Sequence, residues 1–253
     1  MNSRLDDDRR RAHCAHVNEN RRHRLPFGLT VVVAAVCATL AITAAPVAPV
    51  ALAHCPGGGA HEYALGSRTG ITSYGVSGYI HVTQGNVCSS GVSHSVTVCS
   101  TTGCTVGWAQ TGWRYYSGYA QPKGYCEFKG TGGSYSMIEH AITQLPHTYR
   151  FDRSTASPGY NWNCKIDGVT KSTQHSSVLG FSTGPKVTVQ GEAHDTHVQI
   201  GLMAPSKLVL SGLAYLNSSG TAIAMSPTLA TPNAPYGIDL PTTSQVRMWT
   251  NGH

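Results

Sequence analysis

The sequence predicts an all-β fold, an antiparallel β-sandwich or jelly roll, preceded by an N-terminal secretory leader. Three observations predict it. Charged residues make up 12% of the 253 residues, while Gly, Ser, Thr and Tyr are plentiful. After residue 54 no segment carries an apolar stripe at helical spacing. Instead, short runs rich in β-branched and aromatic residues alternate with Gly, Pro, Asn and Asp.

The first element is the leader, residues 1–53. Seven arginines lie between Arg4 and Arg24, and an uncharged apolar run covers 27–52. The run ends at Ala51-Leu52-Ala53, a small-x-small cleavage signal, with Pro46 and Pro49 just ahead of it. A basic start, an apolar centre and a small-residue end read as a signal peptide. An uncleaved anchor is the alternative, because the run is long enough to span a bilayer. The leader holds seven of the 18 Lys and Arg and four of the 12 Asp and Glu. The remainder keeps 11 basic and eight acidic residues, a net charge of +3. So mild a charge, with no basic run, argues against nucleic acid as a partner. A secreted, extracellular protein without a membrane partner after cleavage, and a monomer, is the expectation.

Cysteine usage agrees with export. Cys14 and Cys37 leave with the leader, and Cys55, Cys88, Cys99, Cys104, Cys126 and Cys164 remain. An even number in an exported chain suggests disulfides, with fifteen possible pairings for six cysteines. Cys99 and Cys104 close a short loop between two strand-like runs and are the favoured pair. Cys126 with Cys164 and Cys55 with Cys88 then follow by elimination. No C-x-x-C occurs, so a cysteine zinc site is disfavoured.

Residues 54–253 read as one β-sandwich domain. Strands are expected at 79–87, 93–100, 105–116, 124–129, 135–140, 147–153, 160–166, 186–194, 197–203, 208–217 and 245–250. Turn signals stand at Thr131-Gly132-Gly133, Ser157-Pro158-Gly159, Asp167-Gly168 and Asn217-Ser218-Ser219-Gly220. About ten strands with regular turns suit a single sandwich. The Pro-, Ala- and Thr-rich stretch 226–241 reads as a long surface loop before one last strand.

Strand parity then sorts candidate working residues. In 186–194, Val187, Val189, Gly191 and Ala193 share an apolar face, and Thr188, Gln190, Glu192 and His194 share a polar one. Val106, Trp108 and Gln110 share a face, as do Tyr125, Glu127 and Lys129. Each of three strands thus offers one polar working side chain among aromatic or polar neighbours. If the sheets pack as a jelly roll, these faces can line one concave groove.

These residues resemble the eqolisins, the fungal glutamic peptidases, and more distantly the neprosin-type glutamic peptidases. The likeness runs from about Gly107 to Ser218. It rests on Ala109-Gln110-Thr111-Gly112, on Tyr125-Cys126-Glu127-Phe128 and on Val189-Gln190-Gly191-Glu192, with 82 positions between Gln110 and Glu192. Val189 stands where the eqolisins have a tryptophan, and Gln110 where the neprosins have a glutamate. The resemblance implies a concanavalin-like jelly roll, a peptide or protein substrate in a groove, and peptide-bond hydrolysis at acidic pH. It implies Gln110 and Glu192 as the catalytic pair, with Glu192 taking the proton of the attacking water and passing it to the leaving nitrogen. Trp108 and Tyr125 would be groove walls and Glu127 a substrate-contacting or tuning group; His194, two positions from Glu192 on the same strand face, is read from its position as a substrate-binding group or one that assists or tunes Glu192.

Two other readings compete. The carboxylate and imidazoles of Glu192, His194 and His197 are metal-capable, but His197 falls on the opposite strand parity and no H-E-x-x-H occurs. No metal and no cofactor are therefore expected. No G-x-S-x-G marks a serine nucleophile, and an even cysteine count disfavours a cysteine one. The second reading is a non-catalytic binding module for a glycan or cell-surface ligand, with Trp108, Trp113, Tyr115 and Tyr116 as contacts.

Overall fold

The structure, a computed structural model, describes residues 61–251 apart from 86, 88, 89, 196 and 233. The leader and the Cys55–Cys88 pairing lie outside the described residues. In chain order the strands are β1 (Glu62–Ser73), β2 (Gly75–Ile80), β3 (Gly91–Cys99), β4 (Trp108–Tyr116), β5 (Lys123–Lys129), β6 (Tyr135–Ala141), β7 (His147–Thr155), β8 (Tyr160–Ile166), β9 (Val169–His175), β10 (Gly184–Ala193), β11 (Leu202–Met203), β12 (Leu208–Leu216), β13 (Ala222–Ala224), β14 (Thr228–Leu229), β15 (Tyr236–Thr242) and β16 (Gln245–Thr250). One turn of helix, α1 (Ser176–Leu179), follows β9 and ends on Gly180 in the left-handed region.

The strands form two sheets. The first runs β14-β1-β10-β3-β4-β5-β6, and the second runs β11-β16-β12-β2-β7-β8-β9, with β13 on β12 and β15 on β16. All pairings are antiparallel except the short β11–β16 contact. This is the predicted β-sandwich.

The core lies between the sheets and follows from alternation. Val187, Val189 and Ala193 of β10 are fully buried, as are Val96 and Val98 of β3 and Ala109 and Trp113 of β4. Val76, Tyr149, Phe151 and Trp162 meet them from the second sheet. Phe128 packs edge-on against Phe151, with ring centroids 5.1 Å apart. Strand β3 is buried along its whole length. It is central, flanked on both sides, with the core on one face and the short side chains Ser93, Ser95 and Thr97 on the other.

Two disulfides are formed among the described residues. Cys99–Cys104 closes the loop after β3, and Cys126–Cys164 joins β5 to β8, one sheet to the other. Both are consistent with an oxidising compartment, and no helix among the described residues is long and apolar enough to cross a membrane. The second bridge closes 38 positions of chain, a loop whose closure restricts the unfolded state by about 3–4 kcal/mol. Cys126→Ser/Cys164→Ser should lose about that much stability in urea denaturation, with m rising because the freed unfolded chain exposes more surface. An unchanged midpoint would show that the sandwich holds without the staple.

Several expected boundaries move. The strand expected at 79–87 is β2, shifted toward the N-terminus, and it stops at Ile80. The His81 carbonyl is then taken by the Trp113 indole at 2.9 Å. The strand expected at 197–203 survives only as β11. Ahead of it Asp195 builds a turn, accepting the His197 backbone N–H at 3.0 Å through its side chain and that of Val198 through its carbonyl. The loop expected at 226–241 contains β14 and most of β15, which pairs with β16 along a charged cross-strand contact of Asp239 with Arg247. β1 and β9 were not foreseen, because E-Y-A-L-G-S-R-T-G-I-T-S and V-T-K-S-T-Q-H carry little apolar alternation.

Candidate active site in the groove of the first sheet

The outer face of the first sheet carries a groove of about 490 Å³. Its floor is built from rungs that the strand registers set. Tyr63, Glu192, Ser93, Arg114 and Lys123 stand side by side on one rung. Leu65, Gln190, Ser95, Gly112 and Tyr125 form the next, and Ser67, Thr188, Thr97, Gln110, Glu127 and Met137 the one after. Trp108 stands opposite Lys129, and Lys129 opposite Tyr135, one rung further on. Small side chains on central β3 keep the floor low, and aromatics on the flanking strands raise the walls.

Gln110 is buried and fixed at both ends of its amide. Its Oε1 accepts from Thr97 Oγ1 at 3.1 Å, and its Nε2 donates to the Tyr125 hydroxyl at 2.6 Å. An amide nitrogen carries two N–H groups, so one donor remains after the Tyr125 bond. Glu127 stands directly across from Gln110. The Trp108 indole donates to its Oε1 at 3.4 Å, and burial pushes its carboxyl above the usual range. Lys129 sits over the Trp108 ring, 4.5 Å from its centroid.

Glu192 stands at the other end, and its side chain is 14% exposed. His61 Nδ1 approaches its Oε1 at 2.5 Å, the Tyr63 hydroxyl donates to the same oxygen at 3.1 Å, and Ser93 Oγ donates to Oε2 at 3.5 Å. His194 shares its strand face, with Nε2 3.9 Å from Glu192 Oε1. That nitrogen is 2.9 Å from the Tyr116 hydroxyl, and the His194 ring lies against His61, tilted by 37° with centroids 4.1 Å apart. Burial lowers the His194 pKa, against the opposing pull of Glu192, and pushes Tyr116 up to about 12. Beyond Tyr116, Arg114 is paired with Glu139, which also accepts from Lys123 at 3.0 Å.

Of the residues singled out from the sequence, Trp108, Gln110, Tyr116, Tyr125, Glu127, Glu192 and His194 line this groove, and Trp113, Tyr115 and His197 do not. Gln110 and Glu192 share the face but not a rung. Strand β3 runs between their strands, and Gln110 is in register with Thr188, not with Glu192. Their backbones are therefore offset by about 9–10 Å across the sheet and about 13 Å along it. Each amide or carboxylate has its own hydrogen-bond partners. Trp113 is fully buried in the core, stacked on His94, so it cannot serve as the ligand contact that the binding-module reading gave it.

Sequence reasoning missed His61, Tyr63, Ser93, Thr97, Arg114 and Tyr135 as groove residues. His61 and Tyr63 come with the unforeseen β1. The others were legible in principle, since parity carries Ser93 and Thr97 to the face opposite Val96, and Arg114 to that of Gln110.

The groove thus gathers two carboxylates, a fixed amide and imidazoles on one face. At the level of fold the chain is similar to solved glutamic peptidases. Scytalido-glutamic peptidase with a transition state analog inhibitor matches with a TM-score of 0.52 and 11% identity, over 75% of this chain and 98% of that one. SCP-B, a member of the eqolisin family of peptidases solved with the tripeptide Ala-Ile-His, matches with a TM-score of 0.50 and 11% identity over the same shares. No protein-family model and no curated protein matches the chain.

Proposed function

We propose that this chain is a secreted glutamic-peptidase-like hydrolase that takes an extended peptide into the groove and cleaves it under acidic conditions. One observation carries the reading: a carboxylate pair and a positioned amide, Glu192, Glu127 and Gln110, open onto a single groove. The fold likeness to glutamic peptidases supports it.

In this reading Glu192 removes a proton from water, the oxygen attacks the peptide carbonyl, and the same proton passes to the leaving nitrogen. Gln110 Nε2 keeps one N–H for the oxygen on which negative charge develops. Because its backbone is offset from that of Glu192 by about 9–10 Å across the sheet and about 13 Å along it, the substrate carbonyl has to lie between the two rungs and bridge them. Tyr63 and His61 hold the carboxylate of Glu192. Trp108, Tyr116 and Tyr135 supply apolar walls for substrate side chains.

A second assignment within the same function is favoured by register. Glu127 faces Gln110 directly across two adjacent strands, and its raised pKa suits a carboxyl that gives up a proton to a leaving group. The test is digestion of casein and a peptide library at about pH 3–5 by wild type, Glu192→Gln, Glu127→Gln and Gln110→Ala. Glu192→Gln should lower the rate by a factor of about 10² to 10³ or more. Loss in Glu127→Gln with activity kept in Glu192→Gln would move the base to Glu127. Absence of cleavage by wild type would leave the groove as a binding site, the second function class the sequence allowed.

A further inference from the structure

We propose that His61, Glu192 and His194 form a binding site for a zinc-like transition cation at the end of the groove. Among the described residues these three bring one imidazole nitrogen each and a carboxylate oxygen within 4.8 Å of one another. Two neutral imidazoles and one carboxylate are a ligand set suited to zinc and its neighbours, not to calcium or magnesium, which prefer all-oxygen shells.

The sheet builds this set without strain. Glu192 and His194 lie two positions apart at the end of β10, so their side chains share a face. The β1–β10 register pairs Tyr63 with Glu192 and Glu62 with Ala193. Carried one step further, it sets His61 against His194, and their rings are in tilted contact. Zinc bonds of about 2.0–2.2 Å in a tetrahedron separate ligand atoms by about 3.4 Å. The His61–Glu192 contact of 2.5 Å has to open by about 1 Å, and the Glu192–His194 separation of 3.9 Å has to shrink by about half that. The widest separation in the set, up to 4.8 Å, has to close by up to about 1.4 Å as well, and His61, which is half exposed, has room to rotate for it. Three protein ligands with a fourth direction open to solvent is the layout of a zinc site that keeps water or substrate. The Tyr116 hydroxyl lies 2.9 Å from the same His194 Nε2, so binding of the cation displaces that contact. The positive charge of Arg114 nearby is engaged by Glu139.

This departs from the expectation that no metal binds. His197, the ligand weighed on sequence, is held instead at the Asp195 turn, with Nδ1 3.0 Å from Asp195 Oδ1. His61 takes its place from another strand. A cation here also occupies the carboxylate that the proposed hydrolysis uses, so zinc should inhibit cleavage. That consequence rests on the proposed function, whereas the binding itself does not.

The experiment is equilibrium dialysis of the full chain against zinc chloride at about pH 7.5, where free imidazoles are neutral, with metal counted by mass spectrometry. Wild type should hold one zinc more than His61→Ala/His194→Ala. Each single His→Ala should weaken that zinc by at least about tenfold, as even indirect partners of metal ligands do. Cobalt in place of zinc should give the visible bands of a tetrahedral site in wild type only. His175→Ala, far from the groove, should match wild type, and circular dichroism checks that each variant folds. Equal zinc stoichiometry and affinity in wild type and the double variant would overturn the proposal, as would an equal loss in His175→Ala. Peptidase activity enters none of these readouts.

Discussion

Acidification between pH 6.5 and 3 will destabilise the fold through one histidine, and His94→Leu will remove most of that sensitivity. His94 lies fully buried on β3, stacked on Trp113 with centroids 4.7 Å apart, and neither ring nitrogen has a hydrogen-bond partner. Burial lowers its pKa from 6.5 to about 3. The folded state therefore holds the ring neutral while the unfolded chain protonates it, so the unfolded state binds more protons throughout the window. Stability from this group is complete above pH 6.5 and falls as pH drops toward 3, by about 4–5 kcal/mol in all. Between pH 7 and 4 wild type should lose about 3 kcal/mol more than His94→Leu in urea denaturation. Parallel losses in the two proteins would remove His94 as the cause. The same slope bears on the proposed function, because a groove acting in acid would sit on a fold that weakens in acid. Cleavage should peak toward the upper part of the acid range, and His94→Leu should extend it downward.

Gly112→Ala should lower stability by at least about 3 kcal/mol, or about 6–12 °C in Tm for a domain of this size. Gly112 faces Ser95 across the β3–β4 pair. A Cβ there meets the His94 carbonyl oxygen at 1.9 Å and Ser95 Cα at 2.7 Å. Both are backbone atoms of the central strand, so no rotamer relieves the clash and the strands have to separate. The separation would also move Gln110 and Arg114, which stand two positions away on either side. Gly132, whose added Cβ meets nothing within 4 Å, is the control, and Gly132→Ala should melt within about 1–2 °C of wild type. Similar melting of both variants would mean that β4 has freedom to shift.

Much of the site was legible because a strand displays its alternation locally. The polar face of Thr188, Gln190, Glu192 and His194 and the face of Trp108 and Gln110 needed only parity, and both line the groove. The pairing of Cys99 with Cys104 was legible from loop length. Trp113 shows the limit of that reasoning. The binding-module reading made it a ligand contact, but one step of parity from Gly112 puts it on the core face. The partners of Glu192 were illegible for another reason. His61 lies 131 positions away on a strand with weak alternation, and nothing local ties β1 to β10.

The sequence by itself determined the β class, the turn positions, the core and groove faces of β10 and β4, and the candidates Gln110, Glu127 and Glu192. These are properties of a residue and its near neighbours, written in a period of two. The tertiary structure alone decided strand order and register. It put β3 between β4 and β10, set Gln110 opposite Glu127 instead of level with Glu192, and brought His61 onto Glu192 and His194. Long-range pairing depends on which backbones meet in the closed sandwich, and in one sequence no local pattern records that choice.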